Sequence, residues 1–390
     1  VLLLLYFAKY WNNFVNKMYI LGIHDGHNCG ATIIKDGEIL ASVLEERLTR
    51  KKNESGVPKK SIISCLKICK IKKHSIDKVV YASNFMHDSK YLKNPLAWYR
   101  VGIKEQLEDS KKPKLYEKFI FNQRKKERIN KIEKLIGISK INISFLDHHL
   151  CHVAASYYCS EFPKNKKILA ISSDGSGDNL SGSVYVCKDN ILKRIAFTDR
   201  AASLGKIYSR VTAFLGFKPW EHEYKIMGMA PYGNYKASKS LKEKVFDKLI
   251  TVDRRSLKFV LKTKLSMNYC YKYLAENLQG ERIDNISGAL QLFTEEMLAK
   301  LVLEAVKKTK ISTVLLSGGV FMNVKANHVI SKIKNIKRLF VMPSCGDESL
   351  SIGAALHLYY QSTSDKNFLK STLKNLYLGN NFGINDETNI

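Results

Sequence analysis

Two stretches of this chain share one rhythm of apolar and polar positions. Tyr19–Leu40 (YILGIHDGHNCGATIIKDGEIL) and Lys167–Leu192 each read as an apolar strand, an Asp-Gly turn with further Gly, Asn or Asp, and a second apolar strand. A tight turn follows in each (Asp36-Gly37, Asp189-Asn190), and then a third strand. The repetition, about 150 residues apart, predicts two homologous lobes. Between the repeats, Val79–Ala82 reads as a strand and residues 90–138 as charged helix. Ile141–Leu146 reads as a strand feeding a helix from Leu150 to Tyr158. In the second half, Ser203–Gly216 and Asp284–Lys308 are helical. Asp284 serves as N-cap of the latter, with Ile286, Leu290, Phe293, Met297 and Leu301 on one face. Thr313–Leu316 and Arg338–Met342 are strands, and Ile352–Leu358 is a helix of small residues. Strands alternating with helices imply an α/β sheet, whose ligands bind at strand C-terminal ends.

Composition narrows this picture little. With 390 residues, 45% of them hydrophobic, the chain can bury a core without staples, which excludes disorder and fibre. The net charge of +28 favours polyanions in principle. The bases are mostly lysines set among Ile, Asn and Tyr, however, and the densest run, Lys111 to Lys134, is interrupted by Glu117, Glu127 and Glu133. That run reads as a solvated helical face. Eight cysteines without a CxxC pair argue against a disulfide scaffold or zinc ribbon and for a reducing cytoplasm. The apolar run Val1 to Ala8 is too short to span a bilayer, and no Met precedes Met18. Residues 1–17 are therefore expected to be a non-native extension.

Chemistry concentrates at the strand ends. In Asp147-His148-His149-Leu150-Cys151-His152, a helix would set His148 and His152, spaced i and i+4, on one face, where two imidazoles can grip zinc, iron or manganese. Ordinary caps and surface contacts are the plainer alternative, and His149 lies off that face. Asp174-Gly175-Ser176-Gly177-Asp178 offers glycine amides to phosphate, or a carboxylate to a metal, or merely a hairpin turn. Asp25-Gly26 repeats the pattern in the first lobe. Ser317-Gly318-Gly319, followed by Asn323, is a phosphate- or ribose-binding turn without the Gly-Lys-Ser/Thr of a Walker loop. Asp347, in PSCGDES, ends another strand. The segment from Trp220 to Gly233 (WEHEYKIMGMAPYG) has no role assignable from its chemistry.

Taken together and in order, ILGIHDGHNCGATII with LEERLTRKKNESGVP, DHHLCHVAASYY, DGSGD, SLGKIYSRVTAFLGF with EYKIMGMAPYG, LLSGGVFMN and CGDESLSIGAAL resemble the NodU/CmcH-type O-carbamoyltransferases from Met18 to Leu378. The chain is also similar to the universal tRNA threonylcarbamoyl transferase. The resemblance implies an actin/sugar-kinase-like ATPase fold: two duplicated α/β lobes, residues 18–165 and 166–375, with a ligand cleft between them. It implies an iron-type divalent metal on His148, His152, Asp174 and Asp347. A nucleotide, ATP or carbamoyl-adenylate, would lie at Gly175, Gly177, Ser317, Gly318, Gly319 and Asn323. The implied reaction draws on carbamoyl phosphate and ATP, which a YrdC-like domain joins as carbamoyl-adenylate, and passes the carbamoyl group to the hydroxyl of a small-molecule or sugar acceptor. His24, Asp25 or His27 would position or deprotonate that hydroxyl. Residues 376–390 resemble the opening of the YrdC-like domain, and the expectation is either a fragment of a longer chain or a separate YrdC-like protein that supplies the adenylate. Membrane and nucleic acid are not expected partners. Two other readings compete: a nucleotide- and metal-binding module without turnover, and a tRNA-modifying transferase.

Overall fold

The computed structural model describes residues 18–84, 102–110 and 114–380. The expectations for residues 1–17, for helix over 90–101, and for the segment from 381 onward lie outside the described residues.

The two repeated stretches fold alike. In the first lobe, β1 (Tyr19–His24), β2 (Gly30–Lys35) and β3 (Glu38–Leu44) form an antiparallel meander, and β4 (Lys78–Tyr81) and β5 (Ile143–Phe145) add in parallel beyond β1. The order is β3-β2-β1-β4-β5. In the second, β6 (Ile168–Gly177), β7 (Leu180–Lys188) and β8 (Ile191–Asp199) form the meander. After a small hairpin of β9 (Ile250–Asp253) and β10 (Lys258–Leu261), β11 (Thr313–Ser317) and β12 (Arg338–Val341) add in parallel beyond β6. Read outward from its meander, this sheet is β8-β7-β6-β11-β12, the same topology as the first. The chain is thus an α/β protein of two duplicated lobes. The hairpin turns have a local cause. Asp36 and Gly37 take φ of 51° and 84°, and Asp189 and Asn190 take 47° and 68°. Two successive positive φ values match the right-handed twist of the flanking strands, and Asp, Asn and Gly reach them at least cost.

Helices α1 (Lys59–Ile68) and α2 (Lys114–Ile136) cover the outer face of the first sheet, where Leu21, Ile33, Cys65, Ile132 and Ile136 form a core. Between the sheets lie α3 (His148–Cys159) and α6 (Leu350–Ser362), packed on each other; α4 (Leu204–Phe214) and α5 (Ile283–Thr309) serve the second lobe. A Cβ at Gly353 would fall 2.8 Å from the amide nitrogen of Ala155, so only glycine lets α6 lie this close to α3. The helix read as starting at Asp284 starts at Ile283, with Arg282 at the cap position and no side-chain cap; Asp284 instead sits in the first turn and pairs with Arg282. From Lys114 on, the charged run is helical, but one face of α2 is buried. All eight cysteines are free thiols. Among the described residues no helix is long and apolar enough to cross a membrane.

Candidate functional site

The chemically unusual residues converge where the two lobes meet. Helix α3 begins directly after β5, with Asp147 as N-cap accepting the Leu150 amide at 2.8 Å. Asp178, from the β6–β7 turn of the other lobe, accepts the His148 amide at 2.8 Å, the Ser83 hydroxyl at 2.7 Å and the Asn84 amide at 2.8 Å. The first turn of α3 is thereby fixed from both lobes, and His148 and His152 project side by side. Asp174 reaches them from β6, and Asp347 from the turn between β12 and α6.

One ligand atom from each of His148, His152, Asp174 and Asp347 lies within 4.8 Å of every other, and all four residues are buried. His148 Nε2 faces Asp174 Oδ2 at 3.3 Å, Asp347 Oδ1 at 3.5 Å and His152 Nε2 at 3.1 Å. His152 Nε2 is 3.4 Å from Asp347 Oδ1. One ring nitrogen carries at most one hydrogen, so it cannot satisfy three such neighbours. Asp347 Oδ1 accepts no hydrogen bond although two imidazole nitrogens face it. Donors held about 2.1 Å from a common ion stand about 3.0–3.5 Å apart, which is the spacing of these four pairs. The set of two imidazoles and two carboxylates therefore fits a divalent transition metal.

Burial and mutual charge set the protonation of these groups. Burial would push His148 down, but Asp347 and Asp174 outweigh it and hold its pKa up at about 9. Burial and the Asp347 charge would raise Asp174, yet His148 and His152 keep its carboxyl well below the usual range. Asp347 is likewise raised by burial and more strongly lowered by His27, His148, His152 and His24. His149, off this face, gives Nδ1 to Ser172 Oγ at 3.0 Å; burial, then its two imidazole neighbours, hold it down at about 4.

The first-lobe turn divides its residues. His24 Nε2 lies 3.4 Å and His27 Nδ1 3.3 Å from Asp347 Oδ2, so both imidazoles join the cluster. Asp25 does not. Its carboxylate, buried, accepts from Arg128 Nε of α2. Arg128 gave no sign of this in the sequence, because it sits inside a run of solvated bases.

At the candidate nucleotide turns, Ser317 pairs in register with Ser172, which sets the Ser-Gly-Gly turn beside Asp174-Gly175. The Gly319 amide donates to Asp174 Oδ1 at 3.2 Å. Gly318 takes φ +92°, and a Cβ there would also crowd Ser173. Gly177 lies directly against the His148 ring, where an added Cβ would fall 2.2 Å from it. Gly175 has open space on its Cβ side. Ser317 Oγ is buried without a partner. Asn323 is occupied: it caps the following helix at Ala326 and exchanges two hydrogen bonds with Gln291. The Trp220–Gly233 segment, unassigned by its chemistry, supplies Glu223, whose half-buried carboxylate accepts from Trp220 N and Ser209 Oγ.

The family model described as "Carbamoyltransferase N-terminus" matches residues 19–356. An uncharacterized protein of Methanocaldococcus jannaschii is 31% identical over 388 residues, covering 92% of this chain and 60% of that protein. The nodulation protein NolNO of Sinorhizobium fredii is 26% identical over 343 residues, covering 86% of this chain and 46% of its own length. The chain thus spans less than two thirds of these curated relatives. Among solved structures, component A of the (R)-2-hydroxyglutaryl-CoA dehydratase of Acidaminococcus fermentans aligns with a TM-score of 0.47 at 14% identity, covering 88% of this chain and 99% of that one.

Proposed function

This chain belongs to the carbamoyltransferase N-terminus family, and from that premise we propose that it carries out the transfer half of an O-carbamoylation. A carbamoyl group, supplied as carbamoyl-adenylate made from carbamoyl phosphate and ATP, would pass to an acceptor hydroxyl. The observation that carries the proposal is the buried convergence of His148, His152, Asp174 and Asp347 at the meeting of the lobes. These four would hold a divalent metal, iron being the first choice, and the metal would supply Lewis acidity toward the carbamoyl carbonyl. His24 and His27 stand on the first-lobe side of Asp347. Of the two, His27 is the one whose side chain is partly exposed, at 25%, and is the better placed to take the proton of an incoming hydroxyl. The glycine turns at Gly175 and Gly318-Gly319 would accommodate the phosphate of the adenylate, with Asp174 tying the two together. The deep burial of the quartet keeps water away from an activated acyl group that water would otherwise consume.

The test supplies purified carbamoyl-adenylate and a panel of sugar and small-molecule alcohols to the metal-loaded protein and follows carbamoylated product by mass spectrometry. Transfer that disappears in His148→Ala supports the proposal. A metal-loaded protein that transfers to none of the acceptors, and instead binds tRNA with a steep salt dependence, would favour the tRNA-modifying reading suggested by the +28 charge.

A further inference from the structure

Trp220 stands in a backbone conformation that a large side chain rarely adopts, with φ of 70°. Such a conformation persists only where the surroundings over-determine it, and here they do. Its amide donates to Glu223 Oε1 at 2.8 Å, and its carbonyl accepts from Asn53 Nδ2 at 3.3 Å. Asn53 belongs to the first lobe and Glu223 to the second, so the strained residue is pinned from both sides of the cleft. The result places the indole flat on the His27 imidazole, with centroids 5.0 Å apart and planes 12° apart. The Lys206 ammonium, from α4, lies 5.7 Å from the same indole ring. His27 in turn sets Nδ1 3.3 Å from Asp347 Oδ2.

We infer that Trp220 is a positioning residue that fixes the His27 ring plane against Asp347 across the two lobes. A stacked imidazole cannot roll. With its plane set by the indole and Nδ1 set by Asp347, the direction of Nε2 is determined as well. An imidazole on an exposed turn would otherwise sample several rotamers, and a proton acceptor must be held within hydrogen-bond reach of one atom. The consequence for turnover rests on the transfer reaction proposed above. The positioning itself does not.

The experiment compares Trp220→Leu, Trp220→Phe and Asn53→Ala in the full chain, with two readouts. The first is the rate at which diethyl pyrocarbonate modifies His27, mapped by peptide mass spectrometry. It should rise severalfold in Trp220→Leu, rise less in Asn53→Ala, and stay near wild type in Trp220→Phe, which keeps an aromatic face. The second is kcat for transfer from supplied carbamoyl-adenylate. In Trp220→Leu it should fall by about 10- to 100-fold with KM for the donor unchanged, and Trp220→Phe should recover most of the loss. In a His27→Gln background Trp220→Leu should cost nothing further. Unchanged His27 reactivity in both Trp220→Leu and Asn53→Ala overturns the inference, as does a full Trp220→Leu effect in the His27→Gln background. If the wild-type protein transfers nothing, the proposed function falls, while the His27 modification rates still decide the positioning.

Discussion

Replacing Gly177 by alanine isolates the metal cluster from the rest of the fold. An added Cβ would sit 2.2 Å from two carbons of the His148 ring, whereas ordinary contact begins at 3.4 Å, so the ring must retreat by the difference, 1.2 Å. The backbone itself tolerates alanine, because Gly177 lies outside the left-handed region. Helix α3 cannot move as a body, being packed against α6 on one side and β6 on the other. The imidazole must therefore turn away on its own, and a metal site tolerates only about 0.2 Å in a ligand distance. Overpacking of this kind costs about 1–3 kcal/mol, which a domain of this size survives. The expected outcome is a folded protein by circular dichroism whose metal content, measured by plasma mass spectrometry after dialysis against a mild chelator, falls at least about tenfold. Gly175→Ala is the matched control: its Cβ meets nothing within 4 Å, and it should keep its metal. Full occupancy in Gly177→Ala, or equal loss in Gly175→Ala, would refute the assignment of His148 as a ligand.

Other outcomes follow from the same geometry. His152→Ala and Asp347→Asn should each reduce bound metal to background in the same measurement, because neither position has a substitute donor within the quartet. In the metal-stripped protein, the His148 pKa is raised from 6.5 to about 9, so its stabilising contribution is complete below pH 6.5 and is lost as pH rises through about 9. Denaturant titrations at pH 6.5 and 9.5 should differ by about 3 kcal/mol, and His148→Ala should flatten that part of the profile. Arg128→Ala should destabilise by about 3–5 kcal/mol in urea, since it leaves the Asp25 carboxylate buried without its cation. A change below 1 kcal/mol there would mean that Asp25 has other support.

Much of this was legible in the chain, and the reasons differ by residue. The lobes were visible because hairpin turns demand particular residues, and Asp36-Gly37 and Asp189-Asn190 carry that demand in the sequence itself. His148 and His152 were visible because helical spacing fixes which side chains adjoin. Asp174 and Asp347 could be joined to them only through the family's motifs, since nothing local says that two strand ends in the second half will meet a helix of the first. The fate of Asp25 was invisible. Its partner lies 103 residues further on, among bases that look alike until the fold buries one. Asp284 misled for a simpler reason. Short polar side chains near helix starts can cap, pair or bind, and tertiary neighbours decide among these.

The repeat makes Asp25 the first-lobe counterpart of Asp174, each opening an Asp-Gly turn at its lobe's leading strand. In one copy the carboxylate faces the imidazoles; in the other an arginine from α2 quenches it. The connection between β11 and β12 carries the eight-residue helix Val324–Ser331, where the connection between β4 and β5 carries the 23 residues of α2, the source of that arginine. Two like halves thus give the same turn carboxylate opposite surroundings.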